Sequence, residues 1–358
     1  MVKRVYNPDL FSEAGTTPPE MIKRPVFLVG SERSGTTLLR LMLDHHPHMT
    51  FWAEFEYGVH GMDSAGGYPN LASYYEWLQT DRNFLMDGPS IDRRLSYSEL
   101  VNSFLLQFQA LTNKPIVGAT VHYNFDRLLK IWPDASFIHI VRDGRDVTRS
   151  CMKMGWAGDG WHGARRWLEA ETLWDKLKMQ LPEERRLEVR FEDLIYDNTG
   201  TLDSVCQFIS KAGTSTVGDS TVSDSTVGDS GAALRYHPDM MNYARSTDYG
   251  LPDASLVNQW HDRLSKREIQ LIEARIAPLL ADRGYALSGL PHLRVSKAGR
   301  IALKMQNKLG ILSRRARKYG LPLVSADLVA RRLGLNSVSD RIRKKFNVID
   351  IKTMKQSW

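Results

Sequence analysis

The stretch from Pro25 to Asp44 constrains this chain more than any other: Pro-Val-Phe-Leu-Val-Gly-Ser-Glu-Arg-Ser-Gly-Thr-Thr-Leu-Leu-Arg-Leu-Met-Leu-Asp. Val26 to Val29 are an apolar run too short for a helix and unbroken, as in a parallel strand buried on both faces. Gly30 ends the run, Ser31 to Gly35 form a polar turn, and Leu38, Leu39, Met42 and Leu43 recur at helical spacing. A strand, a glycine-bounded loop and a helix start bring free backbone N–H groups to the positive end of a helix dipole. Such a turn cradles a phosphate-like anion.

Gly30 and Gly35 have the spacing of a P-loop, but Thr36 stands where a nucleoside triphosphatase needs its lysine. The cation comes earlier, at Arg33. One arginine, two hydroxyls and the backbone suit a group with fewer charges than a triphosphate, and nothing in the sequence requires a metal.

Arg33-Ser-Gly-Thr-Thr-Leu-Leu39 after an apolar strand resembles the 5′-phosphosulfate loop of the PAPS-dependent sulfotransferases. A second segment, Phe137-Ile-His-Ile-Val-Arg-Asp-Gly-Arg-Asp-Val-Thr-Arg-Ser150, resembles the same family's 3′-phosphate motif. The similarity runs from about Pro25 to Tyr285. It implies an α/β fold, a P-loop-like central parallel sheet with helices on both faces. It also implies transfer of a sulfonate group from PAPS to an acceptor hydroxyl, leaving PAP. Arg33, Ser34, Gly35, Thr36 and Thr37 would hold the 5′-phosphosulfate, and Arg142 and Ser150, eight positions apart, the 3′-phosphate. Arginine offers the planar, permanently charged fork that phosphate favours. Arg245-Ser-Thr-Asp248 resembles a short motif of the tyrosylprotein branch, which adds Ser246 as a nucleotide contact.

The attacking hydroxyl must lose a proton, so a base is needed. In the tyrosylprotein branch the glutamate base lies 21 residues after the loop arginine, and 54 − 33 = 21 places it at Glu54. Glu56 competes, on the same face if the preceding strand continues. Many relatives carry Lys-Thr-Pro or Lys-Asp-Pro near the next strand, with the lysine on the sulfonate or bridging oxygen. This chain has Thr120 and His122 there, which makes His122 a second candidate for acid–base work. Met154 stands where that branch places a further arginine.

The remaining features bound the organisation. Two cysteines, Cys151 and Cys206, fit a reducing compartment. The polar opening without a signal-like apolar core points to a cytoplasmic enzyme. Residues 1–24 read as a loosely packed leader, 25–292 as the catalytic domain and 293–358 as a basic helical extension. Three pentads, Ser215-Thr-Val-Gly-Asp, Ser220-Thr-Val-Ser-Asp and Ser225-Thr-Val-Gly-Asp, mark a surface insertion over residues 213–232. His45, His46 and His48 read as a helix end and turn, not a metal site. The Trp156–Trp161 loop is either a lid or a turn with core tryptophans.

The net charge of +7 is unevenly placed. Residues 293–358 hold 17 Lys and Arg against 3 Asp and Glu, or +14, which leaves −7 for the rest. The extension therefore either binds an anionic membrane or acidic partner, or docks on the acidic body. Two other function classes share these features: a P-loop nucleotide kinase or NTPase, and a PAP- or nucleotide-binding regulator with a basic tail. The acceptor is any molecule with a hydroxyl group: small molecule, carbohydrate or peptide tyrosine.

Overall fold

The computed structural model describes residues 19–211 and 253–356. Ser246, the pentads and the leader up to residue 18 lie outside them. The elements before the gap are β1 (Val26–Val29), α1 (Thr36–Asp44), β2 (Met49–Trp52), α2 (Leu71–Leu78), α3 (Arg82–Asp87), α4 (Tyr97–Thr112), β3 (Ile116–Val121), α5 (Leu128–Ile131), β4 (Ser136–Val141), α6 (Gly144–Lys153), α7 (Gly160–Lys178), β5 (Arg186–Arg190), α8 (Phe191–Tyr196) and α9 (Asn198–Lys211). After it come α10 (Trp260–Arg263), α11 (Lys266–Asp282), α12 (Lys297–Tyr319), α13 (Leu321–Arg332) and α14 (Asn336–Gln356).

The strands form one sheet in the order β2-β3-β1-β4-β5, and every neighbouring pair is parallel. β1 lies in the middle, and its side chains alternate between two cores. Val26 and Leu28 pack with Leu38, Leu39 and Met42 of α1 and with α8 and α9. Phe27 and Val29 face the opposite way, onto Phe104 and Phe108 of α4 and Trp174 of α7. Helices thus cover both faces, which is why the strand reads as uninterrupted apolar sequence. A third core joins α6, α7, α10 and α11 through Val147, Trp167, Trp260 and Ile272.

The sheet sets the two glycines of the first loop. A Cβ on Gly30, at φ +142°, would lie 2.4 Å from the Ile140 carbonyl oxygen of β4. One on Gly35, at φ +102°, would lie 2.3 Å from the Phe191 ring. The loop is pressed against β4 and α8 with backbone angles that L-residues avoid. Gly30→Ala is therefore expected to lower stability by about 1–3 kcal/mol. Thermal unfolding checks this, and an unchanged melting temperature would mean that the loop can move off β4.

Two segments differ from expectation. The end of the leader is tied down, since Ile22 is buried and its N–H donates to Asn102 Oδ1 at 3.0 Å. The Trp156–Trp161 loop is held from outside. Arg166 lies 4.8 Å over the Trp156 ring, and the Gly158 N–H donates to Asn307 Oδ1 of α12 at 2.7 Å.

The basic extension folds and docks. Val324, Ala330, Ile342 and Phe346 make a small core of their own, and buried Asp327 pairs with Arg315 at 2.9 Å and Arg331 at 3.0 Å. On one side α12 meets the end of α6 and the loop after it, where Arg314 donates to the Met152 carbonyl in the last turn of α6 and Asn307 holds the Gly158 N–H. On the other, Asn347 of α14 donates to the Thr80 carbonyl at 2.9 Å. Arg82 and Asp350, 3.8 Å apart, form an ion pair across that junction.

Candidate active site

The carboxyl ends of β1, β2, β3 and β4 converge on the first loop, as open parallel sheets arrange their ligand crevices. α1 starts there with Gly35 at its cap position, no side-chain cap and no acidic residue in its first turn. Its first N–H groups are thus left for an anion. Ser34 is fully buried, and its hydroxyl has no partner among the described residues. Thr37 is half-buried in the first turn of α1.

Arginines surround this loop. Arg33 adopts the left-handed backbone, φ 74°, unusual for a residue with a Cβ. Its Nε donates to Ser150 Oγ at 2.9 Å, which joins two motifs 117 residues apart. Arg142 is buried at the end of β4, with its guanidinium 4.3 Å over the Phe191 ring. It donates to the carbonyls of Arg33 at 3.3 Å and Leu256 at 2.5 Å, while its Nε is unpartnered among the described residues. Burial pulls the Arg142 pKa down, and the Asp146 carboxylate 3.6 Å away opposes that. Arg149 also adds positive potential beside Arg33 and Arg142. Sequence reasoning missed it, although it directly precedes Ser150. A buried cation with a free donor, an unpartnered hydroxyl and an uncapped helix start together fit an anionic ligand.

On the other side of the loop lies a carboxylate–imidazole chain. β2 ends at Trp52, and Glu54 turns the backbone into the left-handed region at φ 56°. The strand does not continue, so a turn, not strand periodicity, sets Glu56 relative to Glu54. Glu56 is buried in the 3-10 turn Glu56–Gly58, and its Oε1 accepts from the His122 backbone N–H at 3.0 Å. His122 follows β3 directly. Its Nδ1 lies 2.9 Å from Glu56 Oε1, and its Nε2 lies 3.1 Å from Thr36 Oγ1 of the loop. Thr120, on β3, is buried with its hydroxyl unpartnered among the described residues.

The electrostatics separate the acidic and basic groups. Burial acting alone would lower the His122 pKa, but the Glu56 carboxylate raises it to about 9. His122 is thus an imidazolium at neutral pH, donating from Nδ1 to Glu56 and from Nε2 to Thr36. The Glu54 carboxyl is pushed up, by burial first and then by the nearby Glu56 charge, while His122 pulls it back. Glu54 is exposed by surface area yet crowded by protein. Asn83 of α3 donates to Glu54 Oε2 at 3.5 Å, at the edge of hydrogen-bond range.

Glu54, Glu56 and His122 place one ligand atom each within 4.8 Å of one another, close enough for a cation. Both ring nitrogens of His122 are already engaged, so the group forms a hydrogen-bonded chain rather than an open set of donors. His45 and His46 contact their own helix end and turn, His45 Nδ1 lying 2.9 Å from the Leu41 carbonyl oxygen. Glu32 is taken up by an ion pair with Arg166.

The profile of the sulfotransferase family matches residues 25–211, a span holding both the loop and the β4–α6 segment. Protein-tyrosine sulfotransferase 2 of Gallus gallus is 24% identical over 278 residues, covering 73% of this chain and 69% of that protein. The sulfotransferase domain of the Synechococcus PCC 7002 olefin synthase is 18% identical with a TM-score of 0.49, over 77% of this chain and 99% of that one. A mouse sulfotransferase complexed with PAP is 15% identical with a TM-score of 0.40, over 80% and 89% of the two chains.

Proposed function

The chain belongs to the sulfotransferase family, and from that premise we propose that it moves a sulfonate group from PAPS to a hydroxyl acceptor, with Glu54 as the base. When bound, PAPS supplies an activated sulfonate on a phosphate leaving group. Arg33, Ser34, Thr36, Thr37 and the backbone beside Gly35 would receive its 5′ end, and Arg142 with Ser150 its 3′-phosphate. Ser246 keeps its proposed role as a further nucleotide contact. The observation that carries the donor assignment is the buried Ser34 hydroxyl, without a partner among the described residues, beside the uncapped start of α1.

The three acid–base candidates take different parts. Glu54 accepts the proton of the acceptor hydroxyl, its raised pKa bringing it nearer the working pH. His122, already protonated, is a poor base. It holds positive charge against Thr36, at the edge of the loop where negative charge builds up during transfer. Glu56 orients His122 and keeps it charged. Nothing in this division of labour calls for a metal. The Gallus gallus relative is named for protein tyrosine, so tyrosine peptides are the first acceptors to assay.

The donor assignment is tested by thermal shift. PAP should raise the melting temperature clearly more than 5′-AMP or ATP, because a ligand that binds only the native state stabilises it by mass action. Equal shifts for all three would remove the 3′-phosphate assignment, and an ATP shift with ATP turnover would favour a P-loop NTPase. Arg142→Ala should weaken PAP binding by roughly 1.5–3 kcal/mol, the scale of a hydrogen bond to a charged group. Titration calorimetry reads that loss, and unchanged affinity would move the 3′-phosphate elsewhere.

A further inference from the structure

α12 carries eight Lys and Arg and no acidic residue in its 23 positions. Along it, Ile301, Met305 and Leu309 recur every fourth position and stand 66%, 55% and 61% exposed. None of the three belongs to any of the hydrophobic cores of the described residues. Exposed large aliphatic side chains at i, i+4 and i+8 form one continuous stripe. Lys297, Lys304 and Lys308 are also exposed, close to the stripe around the helix, and among the described residues no carboxylate pairs with them. Elsewhere on the same helix, Asn307 holds the loop after α6 and Arg314 the last turn of α6. Asn307 sits about 200° around the helix from Met305. One face is therefore used to dock, and the other is presented outward on a fixed helix.

We infer that this outward face of α12 is a peripheral binding surface for anionic lipid membrane. An apolar stripe bordered by lysines matches a surface with an apolar interior and negative headgroups. A second copy of the chain fits less well, since pairing two acid-free basic helices would set like charges against each other. A groove that wraps the helix also fits poorly, because its docked face is occupied. A flat surface needs only the face that is free. No described helix is long and apolar enough to cross a membrane, so the attachment lies at the interface.

The test uses the full chain and vesicles of phosphatidylcholine with and without phosphatidylglycerol. The chain should float with the anionic vesicles, stay in solution with the neutral ones, and release as salt is raised. Substituting Ile301→Asp, Met305→Asp and Leu309→Asp together should weaken partitioning by roughly tenfold or more. Because all three side chains are exposed, the melting temperature and the PAP-induced shift should be retained. Failure of the native chain to float with anionic vesicles would overturn the inference. Equal flotation of the triple variant would also overturn it, by placing any lipid contact elsewhere. So would a native chain that doubles its mass in solution while the variant stays monomeric and neither binds vesicles, which would make the face a self-association surface.

Discussion

Glu54→Gln is expected to slow sulfonate transfer by roughly 10²–10⁴, the usual worth of a positioned general base. Glutamine keeps the shape of the side chain and one hydrogen-bond acceptor but takes no proton at working pH. Affinity for PAP should change little, because Arg33 and Arg142 lie across the loop from Glu54. The pH profile separates Glu54 from His122. With Glu54 as base, kcat/KM rises as its carboxyl ionises and falls as His122 loses its proton near pH 9. Removing Glu54 should abolish the acid limb, and His122→Ala should abolish the alkaline one. Near-normal turnover of Glu54→Gln beside a dead His122→Ala would transfer the base role to His122. The likeness to the protein-tyrosine sulfotransferase would then say nothing about the acceptor.

The His122–Glu56 pair should also make stability depend on pH. His122 titrates near 9 when folded, against an ordinary value of 6.5. The folded state therefore binds the proton more tightly than the unfolded chain. The stabilisation is fully present below about pH 6.5 and is lost as pH rises through 9. The shift is on the order of a few kcal/mol, large for a single pair. Glu56→Gln should abolish this dependence, because burial then disfavours the imidazolium. The buried His139, raised in the same direction by Glu171 against the cost of burial, also contributes to the native slope. The informative quantity is the difference between the native chain and Glu56→Gln, read from urea unfolding between pH 6 and 10. Parallel curves would show that Glu56 does not hold a proton on His122. The substitution should also slow transfer, since Glu56 is buried and bonded to the site's imidazole and not a solvated bystander.

The sequence alone determined what depends on neighbours within one turn or one strand. An apolar run, a glycine pair and a helical repeat specify the strand, loop and uncapped helix start around Arg33, because dihedral preferences and side-chain periodicity act over a few residues. The same holds for β4 running into α6, with Arg142 and Ser150 one helix apart. Only the tertiary structure decided which groups meet across the sheet. Thr36 and His122 are 86 residues apart, and Glu56 and His122 are 66 apart. They touch because β3 lies between β2 and β1, an order that no local pattern states. Glu54 and Glu56 were both visible past a strand end, but their roles depended on a left-handed turn at Glu54 that favours no particular neighbour in sequence. In α12 the basic, apolar repeat was legible, whereas which face docks and which stays exposed was not. That choice is made by Gly158 and the carbonyl of Met152, more than 140 residues away, and long-range packing of this kind is encoded only by the assembled surfaces.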